Sequence, residues 1–241
     1  MTHERRIRSF VRREGRLTAG QQRNLDTLWP RYGLDMPDAV LDWDHVFGRS
    51  APRTLEIGFG AGEVLADLAV RHPDEDFVGI EVYLTGVGRL LGALDAAGAS
   101  NARVFNVDAV DVLRAGFADA SLDNVLLYFP DPWPKTRHHK RRIVQPRFVD
   151  EIARVLKPGG LWRLATDWAN YAEHMREVLD SSGAFINVGD TNGFVSDPPR
   201  AATRFEARGR CKGHAVYDMA YRRREDKGVL PFGAAPRCSP K

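Results

Sequence analysis

The stretch TLEIGFGAGEVLADLAVRH, residues 54–72, fixes the reading of the chain. Thr54–Ile57 is a short apolar run, Gly58, Gly60 and Gly62 form a turn, and Val64, Leu65, Leu68 and Ala69 then recur at helical spacing, which predicts strand, glycine turn, helix. The same alternation continues downstream. DFVGIE precedes a helical pattern in LTGVGRLLGALDAAG; ARVFNVDA and SLDNVLLYFPDPWP read as strands. FVDEIARVLKPGG reads as a helix ended by Pro-Gly-Gly ahead of the strand LWRLATDW. A helix in YAEHMREVLDSSG, a short FINV strand and a last strand in AVYDMAY complete the set. Strands alternating with helices specify an α/β fold built on a parallel sheet.

Upstream, residues 1–50 show no clear strand–helix alternation and read as a basic arm and lead-in. Residues 51–227 carry the α/β pattern, and 228–241, rich in Gly, Pro and Ala, read as a disordered tail. The 241 residues are 43% hydrophobic, enough for one sizeable core. No run approaches the ~20 apolar residues needed to span a bilayer and no apolar signal core opens the chain, so a cytoplasmic protein is expected. Cys211 and Cys238 stand alone without CxxC or Cys/His spacing, so no metal is expected. The net charge is only +3, but the cations are unevenly placed. Arg5, Arg6, Arg8, Arg12, Arg13 and Arg16 crowd one run; Lys135, Arg137, Lys140, Arg141, Arg142 and Arg147 crowd another. One basic run is usually a solvated surface. Two, one of them adjoining an aromatic–proline motif, point to a polyanion. The arm, poor in apolar residues, is expected to order on that partner.

Ligands of open α/β sheets bind at the carboxyl ends of the strands, where this chain places acids. Glu56, Gly58 and Gly60 belong to the first strand and its turn, Glu81 ends the second, Asp108 the third, and Asp131 follows the fourth. Glu63 stands where a dinucleotide fingerprint has its last glycine, and acids near a helix N-terminus are poor neighbours for phosphate, so a pyrophosphate is not the natural ligand. An electronegative, nucleoside-shaped crevice suits a ligand with adenine, ribose and a sulfonium. S-adenosylmethionine has all three, and is the expected co-substrate.

The motifs LEIGFGAGE, FVGIEVY, NVDAVDVL, FPDPWPKTRHHKRRIVQ, ATDW and TRFEARG, in this order, resemble those of the bacterial tRNA (guanine-N7)-methyltransferases, and RSFVRREGRLTAGQ in the arm is similar. The resemblance runs from about Arg8 to Tyr221. Its FPDPWPK-x-RH-x-KRR stretch is highly specific, whereas the glycine turn alone matches methyltransferases of every kind. Pro134 and His139 depart from the motif, and the tail after Lys227 is extra. The resemblance implies a Rossmann-like, seven-stranded class I methyltransferase sheet with helices on both faces, and methyl transfer to N7 of a guanine in the tRNA variable loop. It implies donor binding by Glu56, Gly58, Gly60, Glu81, Asp108 and Asp131; guanine or substrate contacts from Lys135, Asp167, Thr203, Arg204, Phe205 and Glu206; and RNA contacts from Arg137, His138, His139, Lys140, Arg141 and Arg142. The partner is then tRNA; a monomer and a homodimer both fit.

Guanine N7 is an exposed lone pair, so the reaction needs alignment more than a strong base. Asp131 and Asp167 could accept from guanine N1–H and N2–H and offset the charge developing on the purine, with Asp131 the expected catalytic group. Each residue also has a plainer reading: Asp131 as a turn before proline, Asp167 as a helix cap, Trp133 as a packed plug rather than a stacking platform, residues 203–206 as a loop rather than a lid. Four functional readings stand at this point: the guanine-N7 enzyme, a same-fold methyltransferase acting on another RNA guanine or a small molecule, a non-catalytic RNA-binding relative, and an NAD-dependent dehydrogenase.

Overall fold

The structure, a computed structural model, describes residues 8–11, 15–198, 206 and 215–225. The decisive stretch folds as its pattern predicts, into strand β2 (Arg53–Ile57), a glycine turn and helix α3 (Glu63–Arg71). Strand β3 (Asp76–Ile80) and helix α4 (Leu84–Ala96) follow, then strand β4 (Ala102–Phe105) and helix α5 (Ala109–Gly116). The second half carries β5 (Leu122–Tyr128), a 3-10 helix (Thr136–Arg141), α6 (Pro146–Val155), β6 (Leu156–Thr166), α7 (Ala169–Ser181), β7 (Phe185–Asn187) and β8 (Tyr217–Arg223).

Among the described residues the sheet has eight strands, in the order β1-β4-β3-β2-β5-β6-β8-β7, rather than the expected seven. The additional strand, β1 (Gly33–Leu34), comes from the lead-in and extends the edge in parallel with Val104 and Phe105 of β4. Only β8 runs antiparallel to its neighbours β6 and β7. Order reverses between β2 and β5, which pair in parallel through Thr54–Glu56 and Asn124–Leu126. That reversal opens the crevice in which α/β sheets hold ligands.

The lead-in also supplies helix α1 (Ala19–Tyr32) and the short α2 (Trp43–Phe47). Helix α1 starts at a capping box: Thr18 accepts from the Gln21 backbone N–H while the Gln21 side chain accepts from that of Thr18. Its Asn24 side chain donates to the Gly88 carbonyl at 2.9 Å and Gln21 to that of Thr85 at 3.2 Å, fastening it to α4. One core, with Tyr32, Leu65, Leu90 and Leu91, lies under α1, α3 and α4; the larger one, with Trp43, Val112, Phe148, Ile152, Trp162 and Met175, lies under α2, α5, α6 and α7. Both faces of the sheet are covered, so β2 and β3 are buried along their whole length. Helix α6 closes at Val155, before the Pro-Gly-Gly, which lies within β6 as an irregularity in its pairing with β5. No helix among the described residues is long and apolar enough to cross a membrane.

Candidate active site

The carboxyl ends of β2 to β5 enclose a cleft of about 250 Å³ lined by Gly58, Gly60, Glu81, Asp108 and Asp131 together with Ile57, Tyr83, Val107, Tyr128 and Pro130. Its floor is the glycine turn. Gly60 has φ 57°, in the left-handed region, and its N–H donates to Glu81 at 2.8 Å. Gly62 has φ 78°, and a Cβ there would lie 2.6 Å from the Leu90 side chain, so the turn seats against α4 only with glycine.

Glu81 accepts from three backbone N–H groups: Gly60, Val82 at 2.6 Å and Tyr83 at 3.0 Å. Burial nevertheless pushes its carboxyl above the ordinary range, against the pull of these bonds, and the charge of Asp131 adds to the rise. Glu56 is only 4% exposed and does not line the cleft, a departure from the direct contact expected of it. Its Oε2 has no hydrogen-bond partner, and burial first, then the neighbouring Glu81, pushes its carboxyl up to about 8. Asp108 combines two roles, lining the cleft and capping α5 by accepting from Val110 N–H at 3.1 Å.

This electrostatic situation is the test of whether the predicted methyl donor fits. Two buried carboxyls are raised, Glu56 by burial and Glu81, and Glu81 by burial and Asp131; one has an oxygen lacking a partner, and Asp108 and Asp131 line the same cleft, so it favours a ligand that brings positive charge and hydroxyl donors. S-adenosylmethionine, with sulfonium, ammonium and ribose, meets that demand. Among the described residues no group of three His, Cys, Asp or Glu side chains is placed to hold a metal.

Asp131 sits on the loop after β5, between Phe129 and Trp133, whose φ values of 52° and 45° put both non-glycine residues in the left-handed region. The two prolines and these turns make a stiff loop, at a cost of about 1 kcal/mol or more per residue so held. Asp131 is exposed at the rim, yet the surrounding protein displaces enough water to raise its carboxyl above the usual range. Asp167 lies half-buried just past β6, the strand beside β5. It does not cap α7: Trp168 holds that position, without a side-chain cap bond.

The basic run winds into the 3-10 helix with Lys135, Arg137 and Lys140 exposed and His138, His139 and Arg141 half-buried. His138 is held below its usual pKa range by desolvation, then by repulsion from Arg137, Arg141, Lys135 and Lys140. Arg142, also expected to meet RNA, departs from its neighbours: it is 2% exposed, with its guanidinium turned inward onto Pro132 and Asn170. Trp133 is engaged on several sides, by Arg141 4.8 Å over its ring and by the edge of His138 at 5.7 Å.

Composition gave no sign of one further contributor. Ser9 and Phe10 of the arm line the cleft, the Ser9 carbonyl accepting from Trp133 Nε1 and the Val11 carbonyl from Tyr83 Oη, each at 2.8 Å. The arm at residues 8–11 therefore lies against the site. Of the 203–206 segment, Glu206 is buried, while Thr203, Arg204 and Phe205 lie outside the described residues.

Residues 50–219 match the family described as "Putative methyltransferase". A solved antibiotic-resistance methyltransferase, Kmr, has a similar fold, with TM-score 0.52 at 13% identity over 77% of this chain and 93% of that one. The sheet order, the acid-lined crevice at its reversal and the family match over residues 50–219 define a Rossmann-like methyltransferase of the class that uses S-adenosylmethionine. Relatives narrow the class. The chain is 54% identical over 229 residues to the tRNA (guanine-N(7)-)-methyltransferase of Alkalilimnicola ehrlichii, covering 94% of this chain and 97% of the relative. It is 52% identical over 222 residues to that of Ectopseudomonas mendocina, covering 92% and 93%. The chain belongs to the bacterial tRNA (guanine-N7)-methyltransferase family.

Proposed function

We propose that this chain transfers the methyl group of S-adenosylmethionine to N7 of a guanine in the variable loop of transfer RNA, in the cytoplasm and without a metal. The observation that carries the proposal is the position of Asp131: on the rim of the donor cleft, on a stiffened loop that leads directly into the exposed basic turn. A base delivered by RNA lying on that turn meets the donor at this carboxylate.

In this reading Glu81 and Asp108 hold the nucleoside part of the donor, with the buried, protonated Glu56 held beside Glu81. The bound donor contributes an electrophilic methyl carried on sulfonium. Asp131 and Asp167 accept from guanine N1–H and N2–H, which orients N7 and offsets the positive charge that the purine acquires. Adenine lacks matching donors on that edge, so the same pair selects the base. Lys135, Arg137, Lys140 and Arg141 supply sequence-independent phosphate affinity.

The test is transfer of labelled methyl from the donor to unmodified tRNA, followed by nuclease digestion and identification of the modified nucleoside. N7-methylguanosine from the variable loop is the expected product. Donor binding without transfer to tRNA, or label on another atom, would overturn the reading.

A further inference from the structure

Arg142 carries a buried positive charge with no carboxylate within ion-pair distance among the described residues. Its donors go elsewhere. Nε donates to the Pro132 carbonyl at 3.0 Å, one terminal nitrogen to the Asn170 carbonyl at 3.4 Å, and the other to Asn170 Oδ1 at 2.7 Å, with the His139 ring nitrogen 3.2 Å away. The guanidinium also lies 4.8 Å over the ring of Tyr171, which is fully buried. Burying an unpaired charge costs several kcal/mol, and a planar fork with five donors is the cation that can bridge several acceptors at once. Both ends of the bridge matter. Pro132 follows Asp131 directly, and Asn170 stands three residues after Asp167, in the first turn of α7.

We infer that Arg142 is a positioning residue, a buried latch that ties the Asp131 loop to the start of α7 and so sets the spacing of the two carboxylates that grip guanine. The inference rests on the roles of Asp131 and Asp167 proposed above. It separates two neighbours of one basic run: Lys140 faces outward for phosphate, whereas Arg142 acts inward on the geometry of the site. An error of about 1 Å in such an arrangement can cost on the order of a hundredfold in rate.

The experiment compares Arg142→Met, Arg142→Lys, Asn170→Ala and the Arg142→Met/Asn170→Ala double variant, with Lys140→Gln and Asp131→Asn as controls. Single-turnover transfer at saturating donor and tRNA is expressed per donor-binding site, and tRNA affinity is followed across a salt series. Arg142→Met is expected to lose roughly a hundredfold in rate with its salt slope unchanged, and Arg142→Lys, which keeps the charge but not the fork, about tenfold. The double variant should be no slower than Arg142→Met, because both substitutions open the same bridge. If Arg142→Met does not fold, the Lys and Asn170→Ala variants must both be slow for the latch to stand. A salt slope lowered as in Lys140→Gln would make Arg142 a phosphate contact, and a rate per site within a few-fold of the parent would make it a mere structural prop; either overturns the inference. Parental activity of Asp131→Asn would instead remove the reading of Asp131 itself, while a slow Asp131→Asn beside a fast Arg142→Met removes only the latch.

Discussion

Glu56→Gln should stabilise the donor-free protein, and increasingly so as the pH rises. In the folded chain burial and Glu81 push the Glu56 carboxyl up to about 8, whereas its ordinary value is 4.5. Between these values the folded state holds a proton that the unfolded state has released. The unfolded state therefore binds fewer protons, so stability is fully present below pH 4.5 and is lost as pH rises towards 8. The full span of 3.5 pH units corresponds to roughly 5 kcal/mol at 1.36 kcal/mol per unit. Glutamine keeps the shape and replaces the protonated O–H by an N–H donor, so the variant lacks the titration. Urea unfolding of parent and variant at about pH 5.5, 7 and 8.5, with the difference in ΔG plotted against pH, cancels the titrations common to both. The difference should move in favour of glutamine and level off above about pH 8. Parallel profiles would refute the argument, showing that Glu56 is ionised in the fold and that an unrecognised donor stabilises it.

Asp131→Asn should lower the single-turnover rate roughly a hundredfold while tRNA affinity stays within a few-fold, because the proposed roles assign transition-state charge and phosphate binding to different residues. Since burial raises the Asp131 carboxyl, the parental rate should also fall as pH drops through that raised value, a limb that the asparagine variant should lack in a rate–pH profile. Glu81→Gln should weaken donor binding about tenfold or more by calorimetry, with little change in tRNA affinity, because the amide can no longer accept at both oxygens from backbone and ribose. Arg137→Gln with Lys140→Gln should lower the log–log salt slope of tRNA binding by roughly one to two and leave donor affinity unchanged; an unaltered slope would show that the turn is only solvated surface.

The parts of the fold legible in the sequence are those where local pattern and burial coincide. β2, β3 and β5 are apolar runs bounded by turn residues, and Glu81 and Asp131 fall where a strand must end. α1 was not legible, because only Gln21 and Tyr32 of its 14 residues are buried; its signal was the Thr18–Gln21 cap rather than an apolar stripe. β1 has two residues, too short for any periodicity, and α5 was hidden in a motif read for its acid. The burial of Arg142 was not legible for a different reason: in a run of cations nothing local distinguishes the one that turns inward, since its burial is set by Tyr171 and Asn170 from another helix.

The two bonds that fasten the arm to the cleft have a consequence for how freely this segment can diverge. Trp133 and Tyr83 donate to the main-chain carbonyls of Ser9 and Val11, an acceptor that every residue carries, proline included. Docking thus follows the path of the chain and is indifferent to the side chains at those two anchor points. Selection can then retune charge and bulk at positions 9 and 11 while the attachment itself is inherited unchanged.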